Sequence, residues 1–386
     1  MAIIFFDGFN RDFDESHWTR TSPGDMGLNG GVRSGSGPNS MYLVGAEGLD
    51  YRLSLSNTGT HSAKKLYLGF ALHNYVNQAD DETLYPTGRP FLRFYNSSNS
   101  VVLTLAFNTS PTGSNSQVSF GTDIDINVVQ ANTVVDTYTA GLCGNWYGQK
   151  IVGYSQWLYF EIEIDLESIT NTVAIHIEGT PIVNSNALET TDLTTISNIS
   201  KIEFIAGRQR YYYGGGMYLD DVYLVDNTGA RENTWLGPET VVRNISVESD
   251  NFDAAVTTNQ WFSNGDGSRL YTDDGDTSGI RTNAFNQTQL YNWSSISAGS
   301  LTPGTLVGAV RVSTKAKNAS LDSAYRIIGK SGTGTTYNLS DKYVMSDNTY
   351  KTRGPEYILD NPETSDRWLI TEINSYQFGV KSENPA

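Results

Sequence analysis

Acidic side chains occupy the alternate positions 161–167 of one short stretch, WLYFEIEIDLES at residues 157–168: Glu161, Glu163, Asp165 and Glu167. A strand sends residues two apart to the same face, so these carboxylates share one. Converging carboxylates are what a retaining glycosidase uses as nucleophile, helper and general acid/base. The geometry is demanding. Residues four apart on a straight strand lie about 13 Å apart at Cα, whereas a retaining pair needs carboxyl groups about 5–5.5 Å apart. Glu163, Asp165 and Glu167 would have to lean together in a closed, aromatic-lined cleft that raises one pKa. The plainer reading is a half-buried strand with its charged face in water. It is preferred here, because Glu161 makes the row four long.

A second kind of chemistry is binding. RQRYYYGGGMY at residues 208–218 holds Arg208, Arg210, Tyr211, Tyr212 and Tyr213 beside three glycines. Tyr and Arg are enriched at contact hot spots, and aromatic rings stack on sugars. This is the favoured contact patch, the alternative being an aromatic strand end packed on its own sheet. CGNWYGQKIVGYSQW at residues 143–157 has similar composition and adds Trp146 and Tyr147. Carboxylates cluster at residues 7–15 (DGFNRDFDE) and 271–279 (YTDDGDTSG). Hard cations take oxygen ligands from such loops, yet neither has the spacing of a twelve-residue calcium loop. No metal site and no cofactor are expected; calcium is the one ion these loops would suit. His17, His61 and His73 show no metal-ligand spacing. His176 falls on the polar side of the strand after the acidic row, where an ion pair across the hairpin is expected at the surface. Cys143 is the only cysteine, so no intramolecular disulfide is available.

The elements that must position these groups are strands. Period-2 alternation recurs, as in Leu66, Leu68, Phe70 and Leu72, or Leu158, Phe160, Ile162, Ile164 and Leu166. A hairpin turns at residues 96–99 and returns with Val101, Leu103, Leu105 and Phe107 on one side. Thr170-Asn171 reads as the turn into TVAIHIEG. Helical periodicity is nearly absent. Twenty-three Tyr and fifteen Phe suit half-buried strands, and thirty-seven Gly suit many turns. The expected fold is all-β: a sandwich over residues 1–226, a linker at 227–240 rich in turn formers, and a second, smaller β domain over 241–386. In that second part Leu306, Gly308, Val310 and Val312 are expected on one face.

A formal net charge of −16 argues against nucleic acid or an anionic membrane as partner. The opening MAIIFFDGFN lacks a basic region and its apolar run stops at Phe6, so a signal peptide is not expected. No window approaches the ~20 apolar residues of a membrane helix.

Three stretches then carry a likeness: the opening FFDGFN, the hairpin WLYFEIEIDLESITNTVAIHIEGTPI and the closing YLDDVYLVDNTGA. Their order over residues 1–226 resembles a concanavalin A-like lectin/glucanase (laminin-G-like) jelly roll, a little over half the chain. A narrower resemblance covers residues 218–381. YLDDVYLVDNTGARENTWLGPETV looks like the junction of a group of tailed-phage virion proteins, in which an Asp-Asp-Val-Tyr strand leads into a linker with Asn-x-Trp/Phe-Leu-Gly. NGDGS (264–268), LVGAVRVSTKAKNA (306–319) and NPETSDRWLITEINSYQFGVK (361–381) resemble that group too. The resemblance implies a non-enzymatic structural component of a virion, on tail or head. It also implies neighbouring virion proteins as partners, host-surface polysaccharide as a further one, and a homo-oligomer. The stretch Glu163-Ile-Asp165-Leu-Glu167 in turn resembles the E-I-D-x-E signature of family 16 glycoside hydrolases, which implies Glu163 as nucleophile, Asp165 as its tuning neighbour and Glu167 as acid/base. That signature continues with an aromatic residue where this chain has Ser168. Laminin-G-like folds often carry calcium at the sandwich edge. The rivals to a virion component are therefore an endoglycanase and a free carbohydrate-binding lectin.

Overall fold

The structure is a computed structural model. It describes residues 3–9, 18–20, 26–29, 40–44, 51–56, 64–73, 87, 89–107, 124–140, 157–166, 170–206, 216–228, 231–238, 262–264, 279–291, 306–317, 323–331, 334–346, 348–349 and 351–385. The chain divides into two compact units, Met1–Asn244 and Ile245–Ala386.

The described strands of the first unit are, in chain order, β1 (Ile3–Asp7), β2 (Trp18–Arg20), β3 (Met26–Asn29), β4 (Ser40–Val44), β5 (Tyr51–Ser56), β6 (Lys65–His73), β7 (Arg89–Tyr95), β8 (Val101–Phe107), β9 (Ile124–Gln130), β10 (Thr133–Ala140), β11 (Trp157–Asp165), β12 (Asn171–Ile177), β13 (Thr180–Pro181), β14 (Val183–Asn184), β15 (Thr190–Leu193), β16 (Lys201–Ala206) and β17 (Gly216–Asp226). They form two antiparallel sheets. The first runs β13–β12–β11–β6–β17–β4–β3, with β1 on β17 and β15 on β12; the second runs β14–β10–β9–β8–β7–β16–β5–β2.

The alternating pattern explains why the sheets stack. Phe70 and Phe160 of the first sheet, and Phe91, Phe107 and Phe204 of the second, are all buried in one core. Rings cross between the sheets, with Phe70 5.0 Å from Phe204 and Phe91 6.0 Å from Phe160. Tyr138 on β10 also reaches across and donates its hydroxyl to the Val173 carbonyl at 2.7 Å. Burial there pushes its pKa up to about 12. The unit is an all-β sandwich of two stacked antiparallel sheets.

The first and last strands pair, β1 on β17. Asp7 fixes that corner: its carboxylate accepts from the Phe9 amide and from the Trp18 indole, both at 2.9 Å. Trp18 is thereby buried against Phe5, Phe9 and Phe204. At the β7–β8 hairpin Asn99 takes a left-handed φ of 58° and the Asn96 side chain accepts from the Ser98 and Ser100 amides. Leu103, Leu105 and Phe107 face inward as the alternation requires, while Val101 at the strand start stays exposed. Asn171 is not a turn residue. It opens β12, is buried, and its side chain accepts from the Ile196 amide at 2.6 Å.

The second unit contains β18 (Phe262–Asn264), β19 (Gly279–Arg281), β20 (Thr288–Tyr291), β21 (Leu306–Val307), β22 (Val310–Ala316), β23 (Ser323–Ser331), β24 (Thr336–Asn338), β25 (Tyr343–Met345), β26 (Lys351–Ile358), β27 (Trp368–Leu369) and β28 (Tyr376–Glu383), with one helix, α1 (Ile370–Ser375). Its main sheet runs β20–β28–β23–β24, with β25 also on β23. Val312, Ile327, Trp368, Ile373, Tyr376 and Phe378 form its core. The expectation of a single face through Leu306, Gly308, Val310 and Val312 fails. The chain breaks at residues 308–309 into β21, which pairs β27, and β22, which pairs β26, and Leu306 is 54% exposed. Helix α1 was not expected either. Its signal is local: Ile370 and Ile373, three apart, are both buried, and Glu372 accepts from the Leu369 amide at 2.9 Å.

Candidate functional site

Strand β11 lies between β12 and β6, and it delivers Leu158, Phe160, Ile162 and Ile164 to the core. Alternation puts Trp157, Tyr159, Glu161, Glu163 and Asp165 on the opposite face. Their neighbours on β6, strand partner by strand partner, are His73, Ala71, Gly69, Tyr67 and Lys65. On the other side Glu161 faces His176, Glu163 faces Ala174 and Asp165 faces Thr172 of β12.

The acidic row is not an open set of equal carboxylates. Glu161 is only 1% exposed. It accepts the Tyr223 hydroxyl at 2.6 Å and the Gly237 amide at 2.7 Å. Tyr223 reaches it from β17 by lying across β6, which requires Gly69 beneath the ring. A Cβ at Gly69 would stand 2.0 Å from Tyr223 Cε1. Burial first, then the Glu161 charge, drives the Tyr223 phenol well above its ordinary pKa. The phenol oxygen in turn accepts the Leu236 amide at 3.1 Å.

Further along the row, Lys65 supplies the counter-charge. Its Nζ lies 2.8 Å from Asp165 and 3.4 Å from Glu163. The hydrogen bond to Asp165 is the main cause that raises the lysine pKa, with smaller help from the two carboxylate charges. Tyr67 also bonds Glu163, and Thr234 as well; burial and then the Glu163 charge raise its pKa.

Residues 227–240 read as a linker by composition, yet residues 231–238 lie folded against this face as a strap. Trp235 stacks on His176 at 3.9 Å with a 12° interplanar angle, and meets Tyr67 edge-on at 5.5 Å. Gly237 adopts φ +88°, which an L side chain rarely takes, and so turns its amide onto Glu161. Pro238 sits over Gly179, about 3.0 Å from where a Cβ there would be. His176 is thus a half-buried ring under an indole, not a surface histidine. Burial lowers its pKa, opposed by the charges of Glu161, Glu189 and Glu163.

The other end of the same face carries rings. Trp157 of β11, His73 of β6, Tyr218 of β17 and Tyr42 of β4 lie at one register across four adjacent strands. Neighbouring centroids are 5.1, 5.6 and 4.7 Å apart, and all four residues are partly exposed. Burial lowers the His73 pKa, which keeps the ring neutral at pH 7, and burial followed by Tyr218 raises that of Tyr42. Trp157 and Glu163 are six residues apart on one strand, about 20 Å.

No protein-family model matches the chain, and no curated protein matches it. Among solved structures, it is similar to botulinum neurotoxin type C, whose passage into cells depends on interaction with two ganglioside molecules: 13% identity, TM-score 0.34, over 58% of this chain and 47% of that one. It is similar to peanut lectin in complex with a nine-residue peptide, at 12% identity and TM-score 0.30, over 57% of this chain and 96% of the lectin. It is also similar to the catalytic domain of a glycoside hydrolase family 131 protein from Coprinopsis cinerea, at 12% identity and TM-score 0.34, over 62% and 99%. The chain spans about half the length of the neurotoxin chain. These are likenesses of fold, and the sheet order described above carries the fold assignment. Fold alone leaves binding and catalysis both open.

Of the residues singled out from sequence, Glu163 and Asp165 are brought together by Lys65, and Glu167 lies outside the described residues. Arg208, Arg210, Tyr211, Tyr212, Tyr213, Trp146 and Tyr147 also lie outside them. Among the described residues no group of three His, Cys, Asp or Glu side chains has the geometry to hold a metal ion. The two carboxylate loops weighed for calcium fall mostly outside them. Sequence reasoning missed Tyr223, Gly69 and Lys65 as partners of the acidic row. It also missed Trp235, although Trp-Leu inside a run of turn formers is a visible signal of a segment that docks.

Proposed function

We propose that this protein is a non-catalytic structural component of a tailed-phage particle. Its first unit would hold neighbouring virion proteins and engage glycan on the host surface. One observation carries the non-catalytic part: of the three carboxylates the hydrolase signature would use, the two that the structure describes, Glu163 and Asp165, are held in ion pairs. Glu161 ties Tyr223 and the strap, and Lys65 spans Glu163 and Asp165. A retaining glycosidase needs a free carboxylate pair at an open cleft. The ring row, where a sugar would stack, is about 20 Å from Glu163 along β11.

The virion part draws on the resemblance in residues 218–381. The stretch that carries it most clearly, YLDDVYLVDNTGARENTWLGPETV, contains the strand and strap residues that bury Glu161: Tyr223, Trp235, Leu236 and Gly237. A motif used to fasten the chain to its own sheet suits a structural protein better than an enzyme. Immunogold labelling of purified phage with antibody to this chain is the test. Gold on tail or head is expected; particles that stay bare would sink the virion reading. Release of reducing sugar from glucans by the native protein, lost in Glu163→Gln, would overturn the non-catalytic reading.

A further inference from the structure

We infer that the row Trp157–His73–Tyr218–Tyr42 is a stacking platform for the pyranose rings of an uncharged polysaccharide. The inference rests on the glycan-binding reading of the first unit and names its site. The row spans three strand spacings, about 14 Å. It is made of two offset ring pairs, Trp157 with His73 at 35° and Tyr218 with Tyr42 at 32°, and the pairs meet at 72° between His73 and Tyr218. Backbone ladders on both sides of β6 and β17 fix the positions, so little ordering is left for binding to complete.

The chemistry selects the ligand. Each ring has an apolar face and a polar tip, which matches a sugar's C–H face and hydroxyl rim. Rigid aromatic anchors lose little side-chain entropy when they bind. No charged residue stands in the row. Moving along the face from it, β11, β6 and β17 next present Tyr159, Ala71 and Asp220, the last fully buried, and then Glu161, which is buried and already paired. A chain of net charge −16 repels polyanions. At the acidic end of the face Trp235 already covers Tyr67 and His176. The rings remain the part of this face that a ligand fits.

The test is isothermal titration of the full-length protein with soluble neutral polymers of glucose, galactose, mannose and N-acetylglucosamine, and with hyaluronan and heparin as charged controls. Saturable binding to at least one neutral polymer and to neither polyanion is expected. Trp157→Ala and Tyr218→Ala should each weaken it at least about tenfold, or about 1.4 kcal/mol. Trp157→Phe should restore most of the affinity, and Phe285→Ala on the second unit should leave it unchanged. The proposal is overturned if no neutral polymer binds, if only the polyanions bind, or if both alanine variants bind like the native chain. Failure here with gold-labelled particles would leave the virion reading intact. Binding with bare particles would keep the platform and remove the virion reading.

Discussion

Removing one oxygen tests how the strap is held. Tyr223→Phe keeps the ring over Gly69 and deletes only the hydroxyl. That hydroxyl donates to Glu161, which is 1% exposed, and accepts from the Leu236 amide. A hydrogen bond to a charged group contributes about 1.5–3 kcal/mol. Leaving the Leu236 amide without its partner adds about 1 kcal/mol, at the low end of the range for a buried donor because Leu236 is half-exposed. The expected loss is about 3 kcal/mol. For a unit of this size that is a Tm drop of about 6–12 °C. Urea unfolding should show a lower midpoint at unchanged slope. Hydrogen exchange should speed up at the Leu236 and Gly237 amides before it changes in β11. Glu161→Gln combined with Tyr223→Phe should be non-additive by about 1–2 kcal/mol, since the two side chains share one contact. A loss under about 0.5 kcal/mol, with exchange in the strap unchanged, would refute the claim that this contact fastens the strap.

Three shorter predictions use neighbouring features. Gly69→Ala puts a methyl 2.0 Å from Tyr223 Cε1, so the ring must leave Glu161; we expect a loss of about 3 kcal/mol by chemical unfolding, falling below about 1 kcal/mol in a Tyr223→Ala background. Gly379→Ala brings its Cβ to 1.9 Å from the Gln289 carbonyl oxygen, which is backbone and cannot rotate away. Pairing of β20 with β28 should be lost, read as fast amide exchange in residues 288–291. Burial lowers the pKa of His176 and of His73, so each takes up its proton more readily when unfolded. Stability is therefore full above the unfolded value of about 6.5 and falls as pH drops below it, by at most about 1.4 kcal/mol per pH unit for each histidine. His176→Phe should flatten part of that slope between pH 6.5 and 5, and an unchanged slope would show that other groups cause it.

The sandwich was legible because its strands are half-buried. Leu158, Phe160, Ile162 and Ile164 announce a core face by alternation alone, and the structure puts all four in the core. The same rule assigned the acidic residues to the other face correctly, but it could not say what covers them. Covering is a long-range fact: Tyr223 comes from 62 residues away and Gly237 from 76. No local periodicity encodes such a partner. Lys65 was invisible for the same reason, 98 residues before Glu163. The bulge in β17 was hidden as well. Asp220 and Asp221 are both buried, Asp221 has φ 49°, and the register with β6 shifts there. A sequence reading treats Asp-Asp as solvated. Trp157, His73, Tyr218 and Tyr42 were unremarkable one by one, since only strand order brings them into a row.

The glycine-under-tyrosine arrangement occurs in both units, and the difference between the two copies can be measured. In the second unit Gly329 on β23 lies beneath Tyr376, whose Cε1 would be 2.4 Å from a Cβ there. A large ring laid over a strand glycine fills the gap that the missing side chain leaves. In the first unit the hydroxyl at the end of such a ring lands on a carboxylate and an amide. In the second, the Tyr376 hydroxyl is buried and has no hydrogen-bond partner among the described residues. Burial, with Tyr337 and Glu363 nearby, raises its pKa, so it stays a neutral phenol. An unpaired buried hydroxyl costs about 1–3 kcal/mol. Tyr376→Phe keeps the cover over Gly329 and the packing on Trp368 and Phe378, and removes that cost. It should therefore be neutral or raise stability by up to about 2 kcal/mol, while the chemically identical Tyr223→Phe lowers it by about 3. Both variants in one chain separate the two roles, because the two units can be followed by exchange at β11 and at β28. A loss above about 1 kcal/mol for Tyr376→Phe would show that its hydroxyl is bonded in solution, and the contrast between packing ring and tying ring would fail.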